Sequence, residues 1–182
     1  QPGHWENIDN AGTHGDVFLR DLMQDAMTAG HAAILVDYPN TGGQLLTLGD
    51  EQTRKIRPYW VPIKKDNIVS WRTTIEDGRL VLTQLVLREC SYVPDGKFGE
   101  KQQERYRVLY RDGVVGYDLL EIAEDKKTVI VIEQGVYANQ VEIPVAEVTT
   151  SGKKSLFVSD PPLVDLAHLN VGHYQGWSDY AN

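Results

Sequence analysis

Cysteine is almost missing: Cys90 is the one thiol in 182 residues. A single thiol cannot build a disulfide framework within the chain, so a reducing compartment is the default. Long apolar runs are missing too. No stretch nears the roughly 18 apolar residues of a membrane-crossing helix, and no leader with a basic start and apolar centre opens the chain. A membrane is therefore not among the expected partners. Basic charge is scarce: 18 Lys and Arg stand against 26 Asp and Glu, for a net charge of −8. A dedicated nucleic-acid reader carries a basic excess, so that class is disfavoured. An acidic surface past which nucleic acid slides without sticking stays compatible. What is present is a core: apolar residues make up 41% of the chain, too many for wholesale disorder.

Residues 1–15 are rich in Gly, Asn and His and read as an irregular, poorly packed lead-in. Gln1 is not an initiator Met, which suggests a processed or internal start. The main domain is expected over 16–160. A helix is predicted from Asp16 to Ala29, with Phe18, Leu22, Ala26 and Ala29 on its apolar stripe and Gly30 as its stop. The run His31 to Tyr38 reads as a strand covered on both sides. Asp50 to Lys55 suits a short helix. From Arg57 onward the reading is mostly β. Strands are predicted over 58–63, 68–73, 79–89, 105–111, 114–122, 128–134 and 143–148, with hairpin turns at Asp77-Gly78 and Asp112-Gly113. An N-terminal helix, a mostly antiparallel sheet core and a C-terminal helix make an α+β fold.

Residues 161–182 carry the last helix. Leu163, Leu166, Ala167, Val171, Tyr174, Trp177 and Ala181 recur at intervals of three and four, on one face. Asp160 is placed to cap it and Pro161 to fill its first position. No stop signal closes it, so it reads as a helix cut short, the start of a longer protein's stem.

Motifs for chemistry are sparse. Gly-x-Gly-x-x-Gly and Gly-x-Ser-x-Gly do not occur. Gly152-Lys-Lys-Ser155 echoes a phosphate loop, but Glu147 stands where its upstream Gly is needed, so a solvated loop is the better reading. His168 and His173 are five apart, off the three or four that puts two ligands on one helix face. Cys90 reads as a structural strand-end residue. No catalytic residue, metal or cofactor is expected. Lys64-Lys65, Lys126-Lys127 and Lys153-Lys154 fall in predicted turns. Lys153 and Lys154 are candidates to face a partner or DNA, against the plainer reading of solvated tips. Along 105–111, Tyr106, Val108 and Tyr110 face one way, and Arg105, Arg107 and Arg111 the other. Ordinary solvent exposure beside Glu104 and neighbouring acids competes there with a subunit interface for Arg105 and Arg107. Tyr174 and Trp177 are the other interface candidates, because large aromatics are costly to leave bare.

The order of segments resembles a family of phage and prophage proteins related to tailed-phage portal proteins. Carrying it are Trp5-Glu-Asn-Ile-Asp-Asn10, Phe18 to Ala29 with Gly30-His-Ala-Ala-Ile-Leu-Val-Asp-Tyr-Pro39, and Arg57-Pro-Tyr-Trp-Val-Pro62 with Ile68-Val-Ser-Trp-Arg72. Further along are Leu82 to Glu89, Phe98-Gly-Glu-Lys101, Tyr106-Arg-Val-Leu109, Ile143-Pro144, Pro161 to Asn170, His173-Tyr174 and Ser178-Asp-Tyr180. The resemblance spans nearly the whole chain. It implies a wing-to-clip portion near Arg79 to Val148 and a stem helix at the end. Residues 74–104 read as strand and loop where portals have a stem helix entering the clip.

The resemblance also implies a mechanical role with no enzymatic activity. Portals are dodecameric rings at one vertex of the virion capsid, assembled in the host cytoplasm. Double-stranded DNA passes through without sequence specificity, driven by terminase, and head-completion and tail proteins dock later. An acidic channel would avoid trapping phosphate by counterion release. Two rivals stand beside this reading: a phage-encoded protein-binding adaptor that forms no ring, and a hydrolase using Cys90 and His31.

Overall fold

The computed structural model describes residues 3–39, 56–123, 127–137 and 140–180. The helix expected over Asp50 to Lys55 lies outside them, as does Lys126. In chain order the elements are α1 (Gly15–Ala29), β1 (His31–Asp37), β2 (Tyr59–Lys64), β3 (Ile68–Glu76), β4 (Arg79–Asp95), β5 (Gly99–Asp112), β6 (Val114–Ile122), β7 (Val129–Tyr137), β8 (Val145–Thr149), β9 (Lys153–Ser155), β10 (Val158–Ser159) and α2 (Val164–Tyr180). The fold is α+β, with mostly antiparallel sheets between an N-terminal and a C-terminal helix. The chain divides into two compact units. One holds 1–35, 59–65 and 145–182; the other holds 36–58 and 66–144. The region 16–160 is shared between them.

In the first unit α1 forms as its periodicity predicts. The His14 side chain accepts from the Asp16 N–H at its start, and Gly30, at φ 92°, closes its end by donating to Ala26 O. Its stripe of Phe18, Leu22 and Ala26 packs with Ile8, Ala32 and Ile34. The sheet beside it runs β2-β1-β8, with β1 antiparallel to β8. The lead-in is better packed than its composition suggests. Ile8 is fully buried, Trp5 meets Trp60 edge-on at 6.3 Å, and Trp60 N–H donates to Ile8 O. One aliphatic and one aromatic side chain anchor a segment whose Gly and Asn content argued otherwise.

β9 and β10 form a small hairpin, so Lys153 and Lys154 lie on a strand rather than in the expected turn. α2 begins at Val164, later than Asp160 and Pro161 suggest. Pro162 disfavours helical backbone at Pro161. Residues 161–164 close a turn instead, with Val164 N–H donating to Pro161 O at 3.3 Å.

The second unit is a five-stranded sheet in the order β3-β4-β5-β6-β7, each strand antiparallel to the next. Asp77 (φ 49°) and Gly78 (φ 76°) both take the left-handed backbone that a two-residue hairpin turn requires. β4 and β5 run well past the lengths expected from the sequence. Their pairing continues from Cys90 opposite Glu104 out to Asp95 opposite Gly99, an arm capped by the exposed Phe98. Cys90 therefore sits exposed within a long strand, not at a strand end.

Candidate interaction surfaces

Register fixes which side chains share a face of the five-stranded sheet. Leu85, Leu109, Tyr117 and Gly135 stand abreast on β4 to β7; one rung on stand Leu87, Arg107, Leu119 and Glu133. Leu85 and Leu109 are wholly buried. The three arginines thus lie on the more buried side, with Leu109, and not on an open basic face. Tyr106, Val108 and Tyr110 take the other side.

A cation on a covered face needs a partner, and each arginine has one within this unit. Arg105 Nε lies 3.6 Å from Glu121, and Arg111 grips Glu76 at 2.7 and 2.9 Å. Arg107, whose side chain is 16% exposed, bonds Glu89 through Nε at 2.5 Å and stands 3.5 Å from Asp37. Glu104 is not among these ion pairs. Burial pulls the Arg107 guanidinium down, but the Glu89 hydrogen bond and the charges of Glu89 and Asp37 outweigh it and hold it above its ordinary value. Its guanidinium carbon sits 5.0 Å from the centroid of the Tyr117 ring.

Two phenols complete the network. Tyr137 donates to Asp37 Oδ1 at 2.9 Å, and Tyr117 to Glu133 Oε1 at 2.6 Å. Burial raises both phenols, and the neighbouring carboxylates, Asp37 for Tyr137 and Glu133 for Tyr117, raise them further. The Tyr117 ring lies over Gly135, where an added Cβ would come within 2.4 Å of it. Sequence reasoning missed this network. Asp37 closing an apolar strand was its one visible trace.

The remaining candidates lie in the first unit. Lys153 pairs with Glu147 and Lys154 with Asp160, each at 2.8 Å, with their side chains still more than half exposed. His31 is buried against Ser159, its Nδ1 3.2 Å from the hydroxyl oxygen. α2 buries none of its residues. Tyr174 is 74% exposed and Trp177 70%, and Leu166, Leu169 and Val171 are bare as well. Leu163, Leu166, Leu169 and His173 line one open side of the helix, with no residue from another element among them. Each of the three aliphatic side chains forgoes the roughly 1.5–3 kcal/mol that full burial would give.

Among the described residues no group of three or more His, Cys, Asp or Glu could hold a metal ion, and no helix is long and apolar enough to cross a membrane. Compared with known proteins, the chain matches no family model and no curated protein.

Proposed function

We propose that this chain is part of a phage portal-like ring, the head–tail connector through which DNA is packaged and ejected. The observation that carries the reading is the bare apolar stripe of α2, which fits a stem helix that packs beside copies of itself. The order of segments that resembles portal-related proteins supports it, as does the acidic balance of a chain past which DNA must slide. In this reading Tyr174 and Trp177 are subunit contacts. Arg105 and Arg107 stiffen the sheet through their own ion pairs instead of reaching a neighbour. Lys153 and Lys154, half exposed on β9 beside their acidic partners, are candidate contacts for a partner such as terminase or a head-completion protein. The role is mechanical, without turnover, at the portal vertex of the virion.

The test is negative-stain microscopy of the whole gene product, alone and with Trp177→Glu. Closed rings in the wild type that are lost in the variant are expected. A strictly monomeric wild type overturns the ring and leaves the adaptor reading.

A further inference from the structure

The β9–β10 hairpin holds the root of α2, and it is fastened to the rest of the first unit at a few points. Phe157 is buried at its turn, and its N–H donates to Glu147 Oε1 at 2.9 Å. Lys153 pairs with the same carboxylate. Ser159, the last strand residue before α2, shares a hydrogen bond with His31 at 3.2 Å, both side chains being buried. The approach there is close. A Cβ on Gly30 would lie 2.7 Å from the Ser159 carbonyl oxygen. α2 buries nothing of its own, so its placement depends on this fastening.

We propose that His31 is a proton-sensitive latch: protonating its ring loosens the β9–β10 hairpin and frees the root of α2. The charged groups around it act in opposite directions. Lys65, whose Nζ donates to Ala29 O at 3.1 Å, opposes a second cation. Glu147 on β8 favours one, but Lys153 already neutralises it. Lys154 and Asp160 satisfy each other at the hairpin's exposed side. Near the end of α1, Asp25 pairs with Lys64 at 3.5 Å, and the Thr150 hydroxyl lies 3.3 and 3.1 Å from the Ala26 and Gly30 carbonyl oxygens. Burial, and then Lys65, hold the His31 imidazole below its ordinary value. The sign follows. The neutral ring is favoured in the fold, so the latch is intact above the unfolded value of about 6.5. It weakens as pH falls below that towards the lower folded value.

Hydrogen–deuterium exchange of this chain at two pH values, corrected for intrinsic rate, tests it. Between pH ~7.5 and ~5.5, a window set by the imidazole range, protection over residues 153–163 should fall about tenfold while β4 to β6 hold. His31→Gln, which keeps a hydrogen-bonding group without a titrating one, should abolish the difference. An unchanged wild type overturns the latch, and so does a His31→Gln variant with the same pH response. If that variant does not fold, the wild-type ring titration decides by NMR: a His31 value at or above that of a free imidazole overturns the proposal, and a lower one supports it.

Discussion

Tyr137 donates its hydroxyl to Asp37 across 2.9 Å, tying β7 to the end of β1 from one hundred positions away. Asp37 also faces Arg107, so one buried carboxylate serves a phenol and a guanidinium together. Removing the two partners should therefore cost different amounts. Tyr137→Phe loses one hydrogen bond to a charged acceptor, about 1.5–3 kcal/mol. Arg107→Ala leaves Asp37 and Glu89 on a covered face with no cation between them, and should cost about 3–5 kcal/mol. Urea denaturation of the two variants gives the order. A smaller loss for Arg107→Ala than for Tyr137→Phe would mean water already solvates the carboxylates.

Tyr117 and Tyr137, the most strongly raised phenols, predict alkaline behaviour. A tyrosine whose folded value lies above its unfolded value of about 10 favours the neutral form in the fold. Its contribution is complete below that value and is lost as pH climbs through the window above it. Phenolate ultraviolet absorbance should show Tyr117 and Tyr137 titrating later than the exposed tyrosines and together with unfolding. Tyr137→Phe should remove one late equivalent. Full, reversible titration of all nine tyrosines with the fold intact is the opposite outcome.

The α+β class, α1 and most strands could be read from the sequence because each depends on local signals. Phe18, Leu22 and Ala26 at helical spacing, Gly30 as a stop, and Asp77-Gly78 as a turn need no distant partner. The faces of β5 could not. Alternation separates Arg105, Arg107 and Arg111 from Tyr106, Val108 and Tyr110, but does not say which side is covered. Hydrophobicity points to the wrong one, because Glu76, Glu89, Glu121 and Asp37 arrive from other elements to make the arginine side burial-competent. The β4–β5 arm escaped for a related reason. Its Gln, Glu and Lys residues carry little strand propensity, and the hairpin register they continue is set further in. Of the candidate residues, Lys153 and Lys154 were expected to be exposed, but their strand and acidic partners were not visible.

Glycine substitutions should have opposite signs in the two units. Gly135 gives its space to the Tyr117 ring, so Gly135→Ala forces ring and strand apart and should cost about 1–3 kcal/mol. Gly172 and Gly176 meet nothing within 4 Å where a Cβ would sit. Alanine there should raise the helix stability of α2 by about 1 kcal/mol at each position. Circular dichroism melts of the two sets separate them. Equal effects would mean that neither the ring contact at Gly135 nor the open space at Gly172 governs.

Trp177 distinguishes a helix made for assembly from one that merely holds this chain together. Its side chain is 70% exposed and α2 contributes no buried residue, so Trp177→Glu should leave folding stability within about 0.5 kcal/mol of wild type. The same change introduces a charge into the apolar stripe. Any association of α2 with a second copy would then bury an unpaired carboxylate and fail. In sedimentation this chain should be monomeric or weakly associating, because one helix offers far less than the 1,200–2,000 Å² or so of a stable interface. Trp177→Glu should remove whatever concentration dependence exists. A loss of more than about 1 kcal/mol of folding stability instead would place Trp177 in this chain's own packing, and the bare stripe would no longer argue for a ring.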